Sequence, residues 1–234
     1  MNAKFAVITG ASAGIGKETA ITLASKGYDV ILIARRKNRL EVIQQKIQEA
    51  GGTCNIFPFD LTKTERISNL VQKIRKVTNK IDVLANIAGS WHNSSRPLFD
   101  RNLTELEDQT ITAPLDIVKG EILLTKKIIR QMRTNATIIN MSGTFSEDDT
   151  GWIPDFVAKT GLESFTKMLA RELKDSKILV FAIRPYFVWT EAVQKFYPDS
   201  ENEAMKISKV TKLIMNLIER KTKYRSGEVV EIKP

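Results

Sequence analysis

KFAVITGASAGIGK, residues 4 to 17, runs an apolar and partly β-branched segment straight into a turn with glycine at positions 10, 14 and 16. A short apolar run bounded by glycine reads as a buried parallel strand. A helical pattern follows. Gly10 lets the chain turn sharply, and Gly14 and Gly16 remove side chains that would keep a diphosphate from the backbone N–H groups at the helix start. The positive end of the helix favours an anion there. The spacing is G-x-x-x-G-x-G rather than the general G-x-G-x-x-G fingerprint. Alone it is a weak signal, since a strand–turn–helix corner with no ligand would look similar, and the rest of the chain decides between the two.

Outward from this corner, strand and helix patterns alternate. A helix over about Ile15 to Lys26 stops at Gly27, and YDVILIA, residues 28–34, is a second strand. The next helix ends at Gly51-Gly52, and TCNIFPFD carries Asp60 on a third strand. Apolar residues Ile67, Leu70, Val71 and Ile74 recur at helical spacing in a segment from Thr62 or Thr64 to Val77. KIDVLANIAG is a fourth strand, followed by a polar loop, Ser90 to Leu103, with the chain's only histidine, His92, read as a surface residue. The helix after Thr104 is expected to break at Pro114 and resume as VKGEILLTKKIIRQM. ATIINMS is a fifth strand, Asp155 to Lys174 a long helix, KILVFAI a sixth strand and RPYFVWTEA a loop. Gln194 to Lys206 reads as a short lid, and a helix from Val210 to Arg220 leads to a last strand, EVVEI. This alternation predicts an α/β architecture: a doubly wound parallel sheet of about seven strands with helices on both faces, in one domain over residues 1–234.

Composition narrows the function classes. At 234 residues with 42% hydrophobic and 27% charged, the chain can bury a full core. A single cysteine, Cys54, excludes an internal disulfide and a multi-cysteine metal site and fits a reducing compartment. Its expected role is a small buried apolar residue beside a strand. No apolar run approaches the roughly 18 residues of a membrane span, and the first strand is too short for a signal-peptide core. A cytoplasmic protein without membrane contact is expected. The net charge is +9, with Lys126, Lys127, Arg130 and Arg133 on one helix and Arg220, Lys221, Lys223 and Arg225 near the end. No nucleic-acid-binding motif accompanies these residues, so the basic surface is read as solvated and as steering an anionic nucleotide.

Taken in order, several of these segments resemble the short-chain dehydrogenase/reductase family over nearly the whole chain. Thr9 to Gly16 resembles its glycine-rich cofactor motif, Asp60 with Leu61 its adenine contact, and Asn86-Ile87-Ala88-Gly89 its Asn-Asn-Ala-Gly motif with the second asparagine replaced. IINMSG resembles the strand that ends at the active-site serine, Lys159 the active-site lysine, and RPYFVWT the loop that holds the nicotinamide, with tyrosine at 186 where glycine is usual. The resemblance implies a Rossmann-type nucleotide-binding fold and hydride transfer between a nicotinamide cofactor and a small carbonyl or alcohol substrate. It places Gly10, Ser12, Ala13, Gly14, Ile15, Gly16, Arg35, Arg36, Asp60, Leu61, Asn86, Ala88, Gly89, Lys159, Pro185, Val188 and Thr190 around that cofactor. It also implies a homodimer or homotetramer, joined through the helices Val118–Met132 and Asp155–Lys174. A carboxylate at the end of the second strand would select NAD; this chain has Ala34-Arg35-Arg36 there, which favours NADP(H) over NAD(H) because a guanidinium pairs with phosphate through a planar fork. Ala13 weakens that preference slightly, since a basic residue often stands there in NADP-dependent relatives.

The same resemblance exposes a gap. A tyrosine should stand four residues before Lys159, where helical spacing would put both on one face, but the residue is Asp155. Gly143 takes the place of the serine, with Ser142 one residue early and facing the other side of the strand end, and Ile117 takes the place of the supporting asparagine. Aspartate has an ordinary pKa of about 3.9 and is a poor donor near neutrality unless burial raises it. After Pro154, Asp155 also suits a helix N-cap. Of the expected catalytic roles only that of Lys159 is plainly filled, and two readings follow: an oxidoreductase whose proton delivery is rebuilt from Ser142, Thr144, Asp155, Tyr186 or water, or an inactive NADP(H)-binding sensor or partner protein. Tyr186 is expected to pack rather than to react.

Overall fold

The computed structural model describes residues 3–93, 95–99, 101–143 and 150–233. In chain order, β1 (Lys4–Thr9), α1 (Gly14–Ser25), β2 (Tyr28–Ala34), α2 (Lys37–Glu49) and β3 (Cys54–Pro58) form the first half. Then come α3 (Ile67–Val77), β4 (Ile81–Asn86), α4 (Asp108–Ile128), β5 (Met132–Met141), α5 (Ile153–Glu172) and β6 (Leu179–Pro185). A short α6 (Glu191–Phe196), α7 (Ile207–Ile218) and β7 (Val229–Ile232) close the chain.

Alternation within the strands builds two cores on one sheet. Ala6 and Ile8 of β1 join one core and Val7 the other; Val30 and Leu32 of β2 go with the first, Ile31 and Ile33 with the second. Successive side chains of a strand point to opposite faces, so a strand apolar on both sides is buried only between two helical layers. Leu23 of α1, Leu40 and Ile43 of α2, and Val210 and Ile214 of α7 cover one face. Ile67 and Leu70 of α3, Leu124 and Ile128 of α4, and Leu169 of α5 cover the other. Cys54 is buried in the first core, and burial pushes its thiol up to about 12, which leaves it unreactive at neutral pH.

The seven strands pair in the order β3-β2-β1-β4-β5-β6-β7, every pair parallel. The chain winds outward from β1 to β3 and then returns to lay β4 against β1 on the other side. The carboxyl ends of β1 and β4 therefore flank a crevice that no crossover covers, the place where open α/β sheets bind ligands. Among the described residues, no helix is long and apolar enough to cross a membrane.

Three expectations about elements change. First, α4 runs unbroken through the buried Pro114. The proline removes one N–H and crowds the preceding turn, at a cost of about 3 kcal/mol, but Leu124, Thr125 and Ile128 downstream are fully buried and hold the helix on the sheet. Second, Asp155 does not cap its helix: α5 starts at Ile153 with Trp152 at the cap, and Asp155 lies buried in the first turn. Third, the stretch expected to be loop and then lid folds at 191–196 into α6, where the Thr190 hydroxyl accepts from the Val193 N–H. Thr144, one proposed proton donor, lies outside the described residues.

Candidate functional site

A cavity of about 640 Å³ opens at the crevice beyond β1 and β4. The opening stretch forms its floor. Gly10 has φ +66°, and a side chain there would strike the Ala88 backbone nitrogen at 2.8 Å. One at Gly16 would run into the Gly10 carbonyl oxygen. Thr9 locks the same corner: its hydroxyl oxygen accepts from the N–H groups of Ile87 (2.9 Å) and Ala88 (3.1 Å). The turn is thus pinned to the end of β4, with the first N–H groups of α1 facing the cavity.

The first of those groups, Gly14 N–H, already meets an anion. Gly14 N–H donates to Glu191 Oε2 at 2.8 Å, and Lys17 pairs with the other carboxylate oxygen. Burial pushes the Glu191 carboxyl up, but the Lys17 and Gly14 hydrogen bonds and the Lys17 charge outweigh it and hold it below the ordinary range. A side-chain carboxylate from α6 therefore stands where a helix N-terminus would otherwise accept a phosphate.

Ser12, Ala13, Gly14, Ile15, Arg35, Arg36, Asp60, Leu61, Ala88, Gly89, Ser142, Asp155, Lys159, Pro185, Val188 and Thr190 all line this one cavity. Arg36 donates to Ser12 Oγ at 3.2 Å. Burial first, then its neighbours Arg39 and Arg35, lower the Arg36 pKa: cations stand together here with too little negative charge to offset them. Asp60 Oδ1 accepts from the backbone N–H and hydroxyl of Thr62, which fixes its carboxylate at the cavity wall.

Asn86 is the exception among the residues placed at the cofactor. It is fully buried and does not line the cavity. Its Nδ2 donates to Asn140 Oδ1 (2.8 Å) and Thr125 Oγ1 (3.0 Å), and Asn140 in turn donates to Thr166 Oγ1 (2.8 Å). This chain of side chains ties β4 and β5 to α4 and α5, so Asn86 holds the wall from behind.

At the far end of the cavity, Lys159 and Asp155 lie one turn apart on α5. Lys159 Nζ donates to the Met141 carbonyl at 2.8 Å. Burial raises the Asp155 pKa, and the nearby Lys159 charge only partly opposes it. Ser142 also reaches the cavity wall, but its hydroxyl donates to Glu163 Oε1 at 2.6 Å, and Glu163 forms a two-point pair with Arg184 at 2.9 and 2.6 Å. A hydroxyl has one proton, so in this arrangement Ser142 has none left for a substrate oxygen. Ser142, expected to serve the chemistry, here donates to Glu163 instead. Ile117 faces the cavity, apolar where the resemblance implied an amide.

Two further expectations are corrected. Tyr186 is not packed: it lines the cavity rim with 44% of its surface exposed. His92 is not a plain surface residue: it is half-buried on the cavity wall, 4.6 Å from the Trp91 ring and 5.4 Å from Phe196, with Nδ1 on the Asn93 carbonyl at 2.8 Å. Sequence reasoning missed Glu191, Trp91, Trp152, Tyr197 and the buried Glu121. For Glu191 the one signal was an acid following a Thr cap in a loop expected to face the cofactor. The aromatic residues come from three separate segments, and no local pattern links them.

Glu121 lies under the floor. It is fully buried, accepts from Thr9 Oγ1 at 3.3 Å, and burial pushes its carboxyl up to about 7 against the opposing effects of Lys159, Thr9 and Ala88.

Comparison with known proteins shows the family of the chain. The family model for short chain dehydrogenase matches residues 4–201. A fatty acyl-CoA reductase of Acinetobacter baylyi is 34% identical over 184 residues, which span 77% of this chain and 61% of that protein. A 3-oxoacyl-(acyl-carrier-protein) reductase FabG of Thermotoga maritima is 26% identical over 99% of this chain and 97% of its own length. The crystal structure of a short chain dehydrogenase from Burkholderia cenocepacia in complex with NADP superposes with a TM-score of 0.87, covering 98% of this chain and 96% of that one at 22% identity.

Proposed function

Because this chain belongs to the short chain dehydrogenase family, we propose that it is an NADP(H)-dependent oxidoreductase, built as one domain over residues 1–234, that interconverts a carbonyl and an alcohol. The observation that carries the proposal is the single cavity in which the glycine turn, Asp60, Ala88-Gly89, Lys159 and Thr190 meet, with the α1 N-terminus already coordinating a carboxylate. The residues present fit a dinucleotide. Gly14 N–H has shown its capacity for an anion, the Gly10 turn admits no side chain, and the fixed Asp60 carboxylate suits a ring amine. Arg35 and Arg36, with no acid at the end of β2, suit the extra phosphate of NADP(H) better than the bare ribose of NAD(H).

When bound, the nicotinamide supplies or accepts the hydride. The chain's own task is to hold the substrate oxygen and exchange a proton with it. Asp155 takes that role: its buried carboxyl is biased toward the protonated form and lies beside Lys159. Its side chain is shorter than a tyrosine by a ring, so a water carries the proton between Asp155 and the substrate. Lys159 Nζ, anchored on the Met141 carbonyl, fixes the positive charge that opposes the charge developing on the oxygen. A second reading, an NADP(H)-binding protein without turnover, is favoured by the Ser142 proton being committed to Glu163.

Cytoplasmic residence accompanies the proposal, supported by the single buried cysteine. So does a homodimer or homotetramer, supported by the exposed Leu115 on α4 and Ile153, Phe156, Val157 and Met168 on α5.

The test is an NADPH fluorescence titration followed by a panel of aldehydes, ketones and quinones. Turnover that is lost in Asp155→Asn and Lys159→Met supports the enzyme. Tight NADPH binding with no oxidation by any substrate, and activity appearing only in Asp155→Tyr combined with Gly143→Ser, supports the second reading. No binding of NADPH refutes both. Arg36→Asp should weaken NADPH more than NADH; equal loss would refute the assignment of the phosphate.

A further inference from the structure

We propose that the outer half of the cavity binds a flat, uncharged aromatic carbonyl compound, gripped by aromatic side chains that the fold gathers over Asp155 and Lys159. This rests on the oxidoreductase reading and names its substrate class.

Trp91 is the centre of the cluster. It comes from the loop after β4, and its ring lies 6.3 Å from Trp152 at the start of α5 and 6.1 Å from Phe196 of α6. Tyr197, just beyond α6, stacks with Trp91 at 6.4 Å and 28° and meets Phe187 edge-on at 5.9 Å. Trp91, Trp152, Phe187 and Tyr197 line the same cavity as Asp155 and Lys159. They are half-buried, whereas Phe99, which backs Trp152 at 5.5 Å, is 2% exposed. Phe99 is core; the other four are wall.

The charges of this half argue against an anionic substrate. Among the described residues lining the cavity, the Lys and Arg side chains are Arg35, Arg36 and Lys159. The two arginines follow β2, at the phosphate end, and Lys159 is held on the Met141 carbonyl. Among the described residues lining the cavity, no other guanidinium or ammonium stands to meet a substrate carboxylate or phosphate arm; Lys195 lies 5.2 Å over the Phe196 ring, and neither of those two lines the cavity. Ile117 adds apolar surface to the cavity wall. Ring faces favour a ligand that is itself a ring: aromatic pairs gain about 0.5–1.5 kcal/mol beyond their buried area, a factor of roughly 2 to 13 in affinity.

The chain's three tryptophans are at 91, 152 and 189, and two of them line this wall, so intrinsic fluorescence reports on it directly. The test uses 2-acetylnaphthalene and its saturated counterpart 2-acetyldecalin, each titrated into the whole protein with NADP present, by tryptophan emission and by calorimetry. The naphthyl ketone is expected to quench emission and to bind about fivefold to tenfold more tightly than the decalin. Trp91→Leu and Tyr197→Leu should each erase most of that preference, and Trp91→Phe should keep most of it. Equal affinity for the two ketones, or a preference that survives both leucine substitutions, overturns the proposal. NADPH titrations of the same variants separate the two readings: loss of aromatic preference with intact NADPH binding supports the substrate class. A wild-type protein that binds the ketone but not NADPH refutes the oxidoreductase reading alone.

Discussion

Replacing Glu191 by glutamine should tighten NADPH binding, because the carboxylate sits where a cofactor phosphate would go. The wild-type side chain takes the Gly14 N–H at 2.8 Å and the Lys17 ammonium, and both must be given up before a diphosphate can use them. Hydrogen bonds to charged groups contribute about 1.5–3 kcal/mol when shielded. The Glu191 side chain is 47% exposed, so solvent screening reduces this to about 1 kcal/mol. Glutamine keeps the shape but loses the charge, and the dissociation constant for NADPH should fall about fivefold. The assay is an NADPH fluorescence titration of both proteins at low and high salt; the ratio should shrink as salt screens the carboxylate. The sign with pH follows from the lowered Glu191 pKa: the group stays ionised from neutral pH down past the ordinary carboxylate range. The ratio should therefore hold constant across neutrality and approach one only in stronger acid. Unchanged or weaker binding by Glu191→Gln would refute the reasoning, since it would make the carboxylate a support for the site rather than an occupant of it.

Glu121 has a folded pKa of about 7 against an ordinary 4.5, so its contribution to stability is full below 4.5 and is lost as pH rises through 7. Across that window the wild type should lose up to about 3 kcal/mol relative to Glu121→Gln, measured by urea unfolding at several pH values; parallel curves would disprove it. Glu163→Ala removes the carboxylate that accepts the Ser142 proton and breaks the two-point pair with Arg184. Because Arg184 is 38% exposed and can rehydrate, the expected cost is about 2 kcal/mol, read as a lower denaturation midpoint. Gly10→Ala puts a methyl 2.8 Å from the Ala88 nitrogen at φ +66°, and should cost at least about 1 kcal/mol of stability together with NADPH affinity. Phe156→Glu combined with Met168→Glu, both on exposed α5 surface, should shift the protein toward monomer in sedimentation; an unchanged oligomer would place the subunit contact elsewhere.

Local patterns carry far in this chain. The run of residues 5–9 into Gly10 already implies a buried strand and a glycine turn, because burial on both faces of a parallel strand demands continuous apolar sequence. Helical spacing at Ile67, Leu70, Val71 and Ile74 likewise names the face that α3 buries. Pro114 misled because propensity is a local quantity, while the burial that keeps α4 whole is contributed by residues 10 to 14 positions away. Asp155 misled in the same way. Its position after proline suits a cap, but the helix starts earlier and the side chain is drawn inward.

The amino-acid order alone determined the doubly wound sheet, the glycine turn, the basic end of β2 and the absence of tyrosine before Lys159. Each of these is a matter of residue type at short spacing. Only the tertiary structure decided what the site can do with them. It spent the Ser142 proton on Glu163, turned Asn86 into a pin behind the wall, brought Glu191 to the N-terminus of α1 across 177 positions, and gathered Trp91, Trp152 and Tyr197 around one opening. Those partners are set by the winding of β4 back against β1, and contacts made across the sheet leave no periodic trace along the chain.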